Sequence, residues 1–393
     1  MIPIALDVHD CQPYAARPAL RPPAIVTPAP REVSFGRVTG TVSPRAVEVV
    51  VRVDGVAKRS LAPRDGRFRV FVALPPRDVR VTVVAIDRSG NRAGRSVEPV
   101  YGLPRAGAPT GPRRSREDRA MARRVKALAR DYPGIAAVYV QDLRSRVGAA
   151  WNARARFPAA STVKLAIAVE VLRTLRGKPA RRSSLDGLLW RMLVHSSNQA
   201  ANTLLVRLGG STSAGAAEVN QTFRALGLHD SLMYGGYAVQ TAAARPIPLR
   251  VEEQPSFGVG KYTTAYDLAR LHTLVHMAAR AKGALARLRG SFTRADGRYL
   301  LWTLAHVVDR EKLDRYLPDR LPVLHKAGWI TNARHDAGIV YSRKGAFVAV
   351  VMTWNAGGAG TSSDVLAGRV AAMALRRFNR LHGSSESVAS SLT

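Results

Sequence analysis

The chain has 393 residues, and its 60 Lys and Arg against 28 Asp and Glu give a formal charge of +32. The 46 % hydrophobic content suffices for real cores in a soluble chain of two domains, but no apolar run reaches the length of a membrane span; residues 165–172 are interrupted by Glu170. A single cysteine, Cys11, excludes an intrachain disulfide and reads as a free thiol, and the basic residues are scattered from Arg17 to Arg380 without an aromatic-studded stripe, which argues against nucleic-acid binding.

In chain order, residues 1–31 are rich in proline and alanine and read as a flexible lead. From Glu32 the pattern changes. Segments 47–53, 67–72 and 79–85 alternate at period two and are rich in β-branched residues. Turn pairs at Asp54-Gly55, Asp65-Gly66 and Gly90-Asn91 separate them, so 32–102 is expected to be a small all-β sandwich. Ala85-Ile-Asp87 followed by Gly90-Asn91 resembles a strand-turn signature of bacterial immunoglobulin-like modules. Residues 103–117 have linker composition.

The second domain is expected over 118–382. Helical spacing covers 118–131, with Met121, Val125, Leu128 and Ala129 on one face. Strands are expected at 135–143 and 148–152, and helices at 161–176, 184–195, 199–208 and 265–280. A strand carrying Lys326, strands 336–343 and 346–354, and a capped helix at 362–382 close the domain before a polar, disordered tail from 383. Strands from both ends must share one antiparallel sheet, an α+β plan with helices flanking the sheet and an all-helical middle.

Three polar signatures fall at junctions of these elements. Ser161-Thr-Val-Lys164 opens an apolar helical run, so a hydroxyl and an amine lie one turn apart. A serine is a nucleophile only when a neighbouring base takes its proton, and a lysine is such a base only when burial or a nearby cation depresses its pKa. Ser196-Ser-Asn198 lies between two helices, and Lys326-Ala-Gly328 leads into alternating β-type sequence. One such signature alone is weak; three in this order are hard to obtain by chance.

Together they resemble the active-site set of the penicillin-recognising serine hydrolases, and the second domain is similar to a class A β-lactamase. The resemblance implies Ser161 as acylated nucleophile, Lys164 as base and Ser196 as proton relay to the leaving nitrogen. It implies Asn198 as holder of the substrate amide and Lys326 as cation for a substrate carboxylate. Gly328 would let substrate lie against the strand, and the N–H groups of Ser161 and Trp329 would form the oxyanion hole. Two positions depart from the family pattern: Ser197 stands where aspartate is usual, and Ala327 where a hydroxyl residue is usual. The methyl of Ala327 cannot bond a carboxylate.

The family's deacylation glutamate has no plain counterpart. Counting forward from Leu226-Gly227 reaches Gly235-Gly-Tyr237, without a carboxylate; counting back from Tyr262-Thr263 meets Glu252 and Glu253 across an insertion at 238–261. Either one of those glutamates serves as base or the base is missing.

The resemblance implies a β-lactam or a D-alanyl wall peptide as substrate, needs no cofactor, and makes anionic wall polymer a further partner for so basic a chain. A monomer is expected. Met1 to Asp10 lacks the basic start and apolar stretch of a signal peptide, so either export uses a segment missing from this sequence or the protein is not secreted by that route; the resemblance implies an extracellular, cell-wall or periplasmic site. His325, His335 and Asp336 lack metal-site spacing, and no metal is expected.

Overall fold

The computed structural model describes residues 20–110, 114–175, 177–238, 247–251, 253–258, 260–288 and 292–389. Eight strands build the N-terminal unit: β1 (Ala24–Thr27), β2 (Glu32–Ser34), β3 (Arg37–Thr41), β4 (Ala46–Val53), β5 (Val56–Leu61), β6 (Arg67–Phe71), β7 (Asp78–Asp87) and β8 (Arg92–Gly102). They form two sheets, in the orders β1-β3-β6 and β2-β8-β7-β4-β5. The alternation that marks β4 and β7 in sequence puts Val49, Val51, Val81 and Val83 inside the sandwich, with the intervening Val50 and Thr82 less buried.

Two expectations about this unit are corrected. Residues 24–27 fall in the expected flexible lead but form β1, which pairs antiparallel with β3. Nor does the sandwich hang on a spacer. Val33, Phe35, Tyr101 and Leu103 join the hydrophobic core of the following domain. Buried Arg31 donates to Asp186 Oδ1 and to the Pro179 carbonyl, both at 2.6 Å, and Lys178 Nζ donates to Glu32 Oε1 at 2.7 Å. Trp302 Nε1 donates to Asp78 Oδ1 at 2.9 Å. The expected linker starts with Leu103 buried and holds Gly107 so close to Tyr341 that a Cβ there would lie 2.7 Å from the ring.

The second unit contains β9 (Arg116–Glu117), α1 (Arg119–Arg130), β10 (Ile135–Asp142), β11 (Val147–Trp151), β12 (Phe157–Pro158), α2 (Lys164–Leu175) and α3 (Ser184–Leu193). It continues with α4 (Asn198–Gly209), α5 (Thr212–Ala225), β13 (Tyr262–Thr263), α6 (Ala265–Ala278), α7 (Arg294–Leu304), β14 (Val323–Ile330), β15 (Ala333–Ser342), β16 (Gly345–Trp354) and α8 (Thr361–Ala389). The sheet order β14-β15-β16-β10-β11-β9 joins strands from both ends of the domain, as the α+β plan requires. One core, with α1 and α8, covers one face of this sheet, and a larger core containing α2 to α7 covers the other.

Local chemistry explains the boundaries. Asp118 caps α1 by accepting from Met121 N at 3.1 Å, and Thr293 with Asp296 makes a reciprocal capping box at the start of α7. Helix α2 is apolar between Lys164 and Glu170 and is buried over its first nine residues, the pattern of a central core helix. It starts at Lys164, not at the expected 161; residues 160–163 form the turn that leads into it. At the C-terminus α8 runs on to Ala389, past the expected tail boundary at 383.

Candidate active site

The three signatures converge. Ser161 lies in the turn before α2, half-buried, directly after Ala160, whose φ of +46° is left-handed. Lys164 is fully buried at the first position of α2. Its Nζ donates to the Ser196 carbonyl at 2.5 Å, to Asn198 Oδ1 at 2.7 Å and to Ser196 Oγ at 3.5 Å. Lys326, on β14, donates to Ser196 Oγ at 3.0 Å and to the Ala327 carbonyl at 2.9 Å. Ser196 Oγ therefore bridges two buried amines. Its own backbone is left-handed, φ +58°, which turns its carbonyl and its hydroxyl toward the same amine.

Among the described residues the Ser161 hydroxyl makes no hydrogen bond with Lys164, whose amine is instead bonded to Ser196 and Asn198. Strand β14 packs against the serine turn at Gly328. A Cβ at that position would stand 2.6 Å from Ser161 N and 2.8 Å from Thr162 N, so only glycine permits the approach. Ala327 is buried and pairs with Asp336 across the sheet, while the Trp329 side chain is 64 % exposed at the strand's outer end.

Electrostatics set Lys164 apart from an ordinary lysine. Burial, then the positive charges of Lys326 and Lys261, lower its pKa from 10.5 to about 7. Three accepting oxygens favour the charged form, but desolvation and two like charges outweigh them. Burial likewise lowers Lys326 and Lys261 to about 8.

Sequence reasoning missed two members of this cluster. Lys261 Nζ stands 4.6 Å from the Tyr237 ring on one side, and Lys164 Nζ stands 4.6 Å from the same ring. Tyr237 is clamped by Asn202, which donates from Nδ2 to its carbonyl at 2.9 Å and accepts at Oδ1 from its N–H at 2.7 Å. The signal for Tyr237 was present, because the forward count from Gly227 ends on it. Among the described residues no carboxylate is a cause of the shift at Lys164. Glu253 is exposed, and its carbonyl accepts from Asn152 at 3.0 Å; Glu252 lies outside the described residues.

Ser197, the departure from aspartate, caps α4 by accepting from Ala200 N at 3.2 Å. His325, His335 and Asp336, close in sequence, do not form one cluster: His335 donates from one ring nitrogen toward Pro158 O at 2.8 Å and accepts Thr353 N–H at the other, whereas His325 faces Asp336 at 2.8 Å and Asp314 at 3.7 Å. His325, Asp336 and Asp314 could offer ligand atoms to a cation. Burial opposes charge on His325, but the neighbouring carboxylates outweigh it and raise its pKa; His325 Nδ1 is bonded to Asp336, while His325 Nε2 and Asp314 Oδ1 have no hydrogen-bond partner among the described residues.

A sequence profile of the β-lactamase enzyme family matches residues 120–181 and 174–378, most of the chain. The chain belongs to the β-lactamase enzyme family. Solved structures similar to it include PBP-A, at 21 % identity and a TM-score of 0.54, covering 68 % of this chain and 99 % of that one. A Leu-to-Glu variant of PBP-A, described as an acyl-enzyme complex with penicillin G, aligns with the same TM-score and identity over 68 % of this chain and 100 % of that one. A β-lactamase from Streptosporangium roseum aligns at 18 % identity and a TM-score of 0.51, over 67 % of this chain and 99 % of that one. Among curated proteins no match is found. At these identities the structural likeness establishes the fold, and the β-lactamase-family architecture accounts for residues beyond the N-terminal sandwich.

Proposed function

We propose that this β-lactamase-family protein is a penicillin-binding serine hydrolase that forms an acyl-enzyme on Ser161. The observation that carries the reading is the buried, cation-flanked amine of Lys164 at the end of the serine turn, with its pKa near neutrality. In its neutral form Lys164 takes the proton of Ser161 Oγ as that oxygen attacks the carbonyl carbon of a β-lactam or D-alanyl amide. The C–N bond then breaks. The nitrogen receives a proton from Ser196 Oγ, which is replenished from the amines at 3.0 and 3.5 Å. The N–H groups of Ser161 and Trp329 are the proposed oxyanion donors, and removing one such donor typically costs about 3 kcal/mol. Asn198 and Lys326 are the proposed substrate contacts, with Ala327 and Gly328 shaping the strand edge. No metal or cofactor has a part in this chemistry.

The expected activity was β-lactam hydrolysis, with a D-alanyl peptidase as the alternative. Tyr237 beside Lys164, where a deacylating carboxylate would be needed, favours the alternative: acylation followed by slow release. A protein acting on wall peptides or β-lactams works outside the cytoplasmic membrane; no helix among the described residues is long and apolar enough to cross one. Intact-mass measurement during exposure to penicillin G tests the reading. A persistent adduct in the wild type and none in Ser161→Ala is expected. Rapid turnover without an adduct would favour a β-lactamase, and no adduct or turnover in either protein would leave a non-catalytic scaffold.

A further inference from the structure

A groove with a volume of about 2580 Å³ runs between the N-terminal sandwich and the catalytic domain. None of Ser161, Lys164, Ser196 or Lys326 lines it. Fourteen of its forty lining residues are arginine or lysine and only Asp54 is acidic, a far steeper bias than the 60 to 28 of the whole chain. The cations come from both sides: Arg37 and Arg69 from the sandwich, Arg105 from the junction, Arg280 and Arg294 from the catalytic domain. They are close enough to act on one another. Burial and then Arg69, Arg280, Arg294 and Arg105 lower the pKa of Arg37. Among the described residues none of Arg37, Arg69, Arg105 and Arg294 has a carboxylate within salt-bridge distance, whereas Arg77 is paired with Asp54 at 2.7 Å. Like charges gathered without counterions cost stability, so their assembly across a domain junction calls for an anion.

We propose that this groove binds a linear polyanion of phosphodiester-linked polyol units, at a site separate from the acylation centre. The volume exceeds the roughly 300–1,000 Å³ of a small-molecule pocket, which fits a polymer segment better than a single metabolite. Guanidinium groups from opposing walls suit successive phosphates, each offering paired acceptor oxygens. Nucleic acid shares that backbone chemistry but also needs faces on which bases stack. The groove offers little of this, since among its phenylalanine and tyrosine rings only Phe71 is exposed, at 37 %. Phe35, Phe68 and Tyr341 are buried, and Phe71 has Arg105 at 4.2 Å and Arg37 at 5.4 Å from its ring. The inference is independent of acyl chemistry at Ser161.

Fluorescence polarisation with labelled poly(glycerol phosphate), and with single-stranded oligothymidylate of equal phosphate number, tests it across a salt series. The full chain is compared with Arg37→Glu/Arg294→Glu and with Arg88→Glu/Arg207→Glu, a pair of exposed arginines outside the groove. Both doubles change the net charge equally. Polyol-phosphate affinity should fall at least about tenfold in the groove double, with a shallower salt slope, and change less than about twofold in the remote double. Equal losses in the two doubles, no binding at physiological salt, or tighter binding of the oligothymidylate would overturn the proposal. Thermal melting checks that each variant is folded; should charge reversal unfold the chain, Arg37→Gln/Arg294→Gln replaces it with the same directional expectation.

Discussion

Asn202 grips Tyr237 by both backbone groups, at 2.9 and 2.7 Å, and so fixes an aromatic ring 4.6 Å from the amine of Lys164. On the proposed reading the ring stands where a deacylating carboxylate would be needed. The phenol is buried without a hydrogen-bond partner among the described residues, and burial raises its pKa, so it cannot act as a base at neutral pH. Tyr237→Glu should shorten the lifetime of a penicillin adduct by at least about tenfold, the lower end of what a placed general base contributes being about 10². Tyr237→Phe should leave the lifetime unchanged. Adduct decay followed by intact mass separates the two; a Glu variant as slow as wild type would mean that deacylation is limited elsewhere.

The same clamp has a stability value. Asn202→Ala leaves the Tyr237 N–H and carbonyl without partners in a largely buried place, at a cost of about 1–3 kcal/mol. Denaturant unfolding measures this loss, and slower acylation should accompany it because the ring that flanks Lys164 loses its anchor.

Acylation should depend on pH with a sign set by Lys164. The base works when neutral, so the rate should climb as pH rises through about 7 and then level. For a substrate bearing a carboxylate the rate should fall again above about 8, where Lys326 loses its charge. A substrate lacking the carboxylate should show no such fall. Lys261→Met removes a cation that depresses Lys164 and should move the acidic limb upward. Stability follows by linkage: Lys261 titrates near 8 when folded and near 10.5 in the unfolded chain, so between those values the unfolded state holds more protons and folding is favoured as pH rises. The variant should lose that part of the climb, read as the melting temperature between pH 8 and 10.

How much of this was legible in the sequence follows from the range of the forces involved. Period-two valines announced β4 and β7, but β5 carries no alternation because nearly all of it is exposed, and glycine, proline and arginines break the pattern of β8. The strand β1 sat in proline-rich sequence and depends on pairing with β3, a partner chosen by tertiary structure. The helices α5 and α7 were passed over because alanine, glycine and polar residues dilute their apolar faces. At the site, Ser161, Lys164, Ser196, Asn198 and Lys326 were readable from short spacings. Lys261 was not, and Tyr237 was marked only as the end of a count, since their places beside Lys164 are set by tertiary contacts.

Ser197 tests whether a departure from the family pattern has a structural cause. Its hydroxyl caps α4, so Ser197→Ala should cost about 1 kcal/mol of stability. Ser197→Asp retains an accepting oxygen at the cap and should be close to neutral. Acylation rates should be little changed in either, because Lys164 and Asn198 are placed by bonds that do not involve this side chain. Chemical denaturation with parallel penicillin labelling checks both statements, and a large loss of labelling in Ser197→Ala would give the residue a part in the chemistry.

Gly328 is the tightest contact between the sheet and the serine turn, and it separates geometry from stability. A methyl at Gly328 would meet Ser161 N at 2.6 Å and Thr162 N at 2.8 Å, both backbone atoms that cannot rotate away. The turn must then retreat from β14, carrying the Ser161 N–H and hydroxyl with it, while the sheet pairing Gly328↔His335 can persist. Because a misplacement of about 1 Å can cost about 10² in rate, Gly328→Ala should lose acylation by roughly that factor. The loss should appear in the acylation step, with the melting temperature lowered by only a few degrees. Ala327→Ser, on the neighbouring residue of the strand, puts no atom against the turn and adds a hydroxyl near the proposed carboxylate position; it should improve the apparent affinity for carboxylate-bearing β-lactams. Equal acylation rates in wild type and Gly328→Ala would mean that the approach of β14 to the serine turn has no part in catalysis.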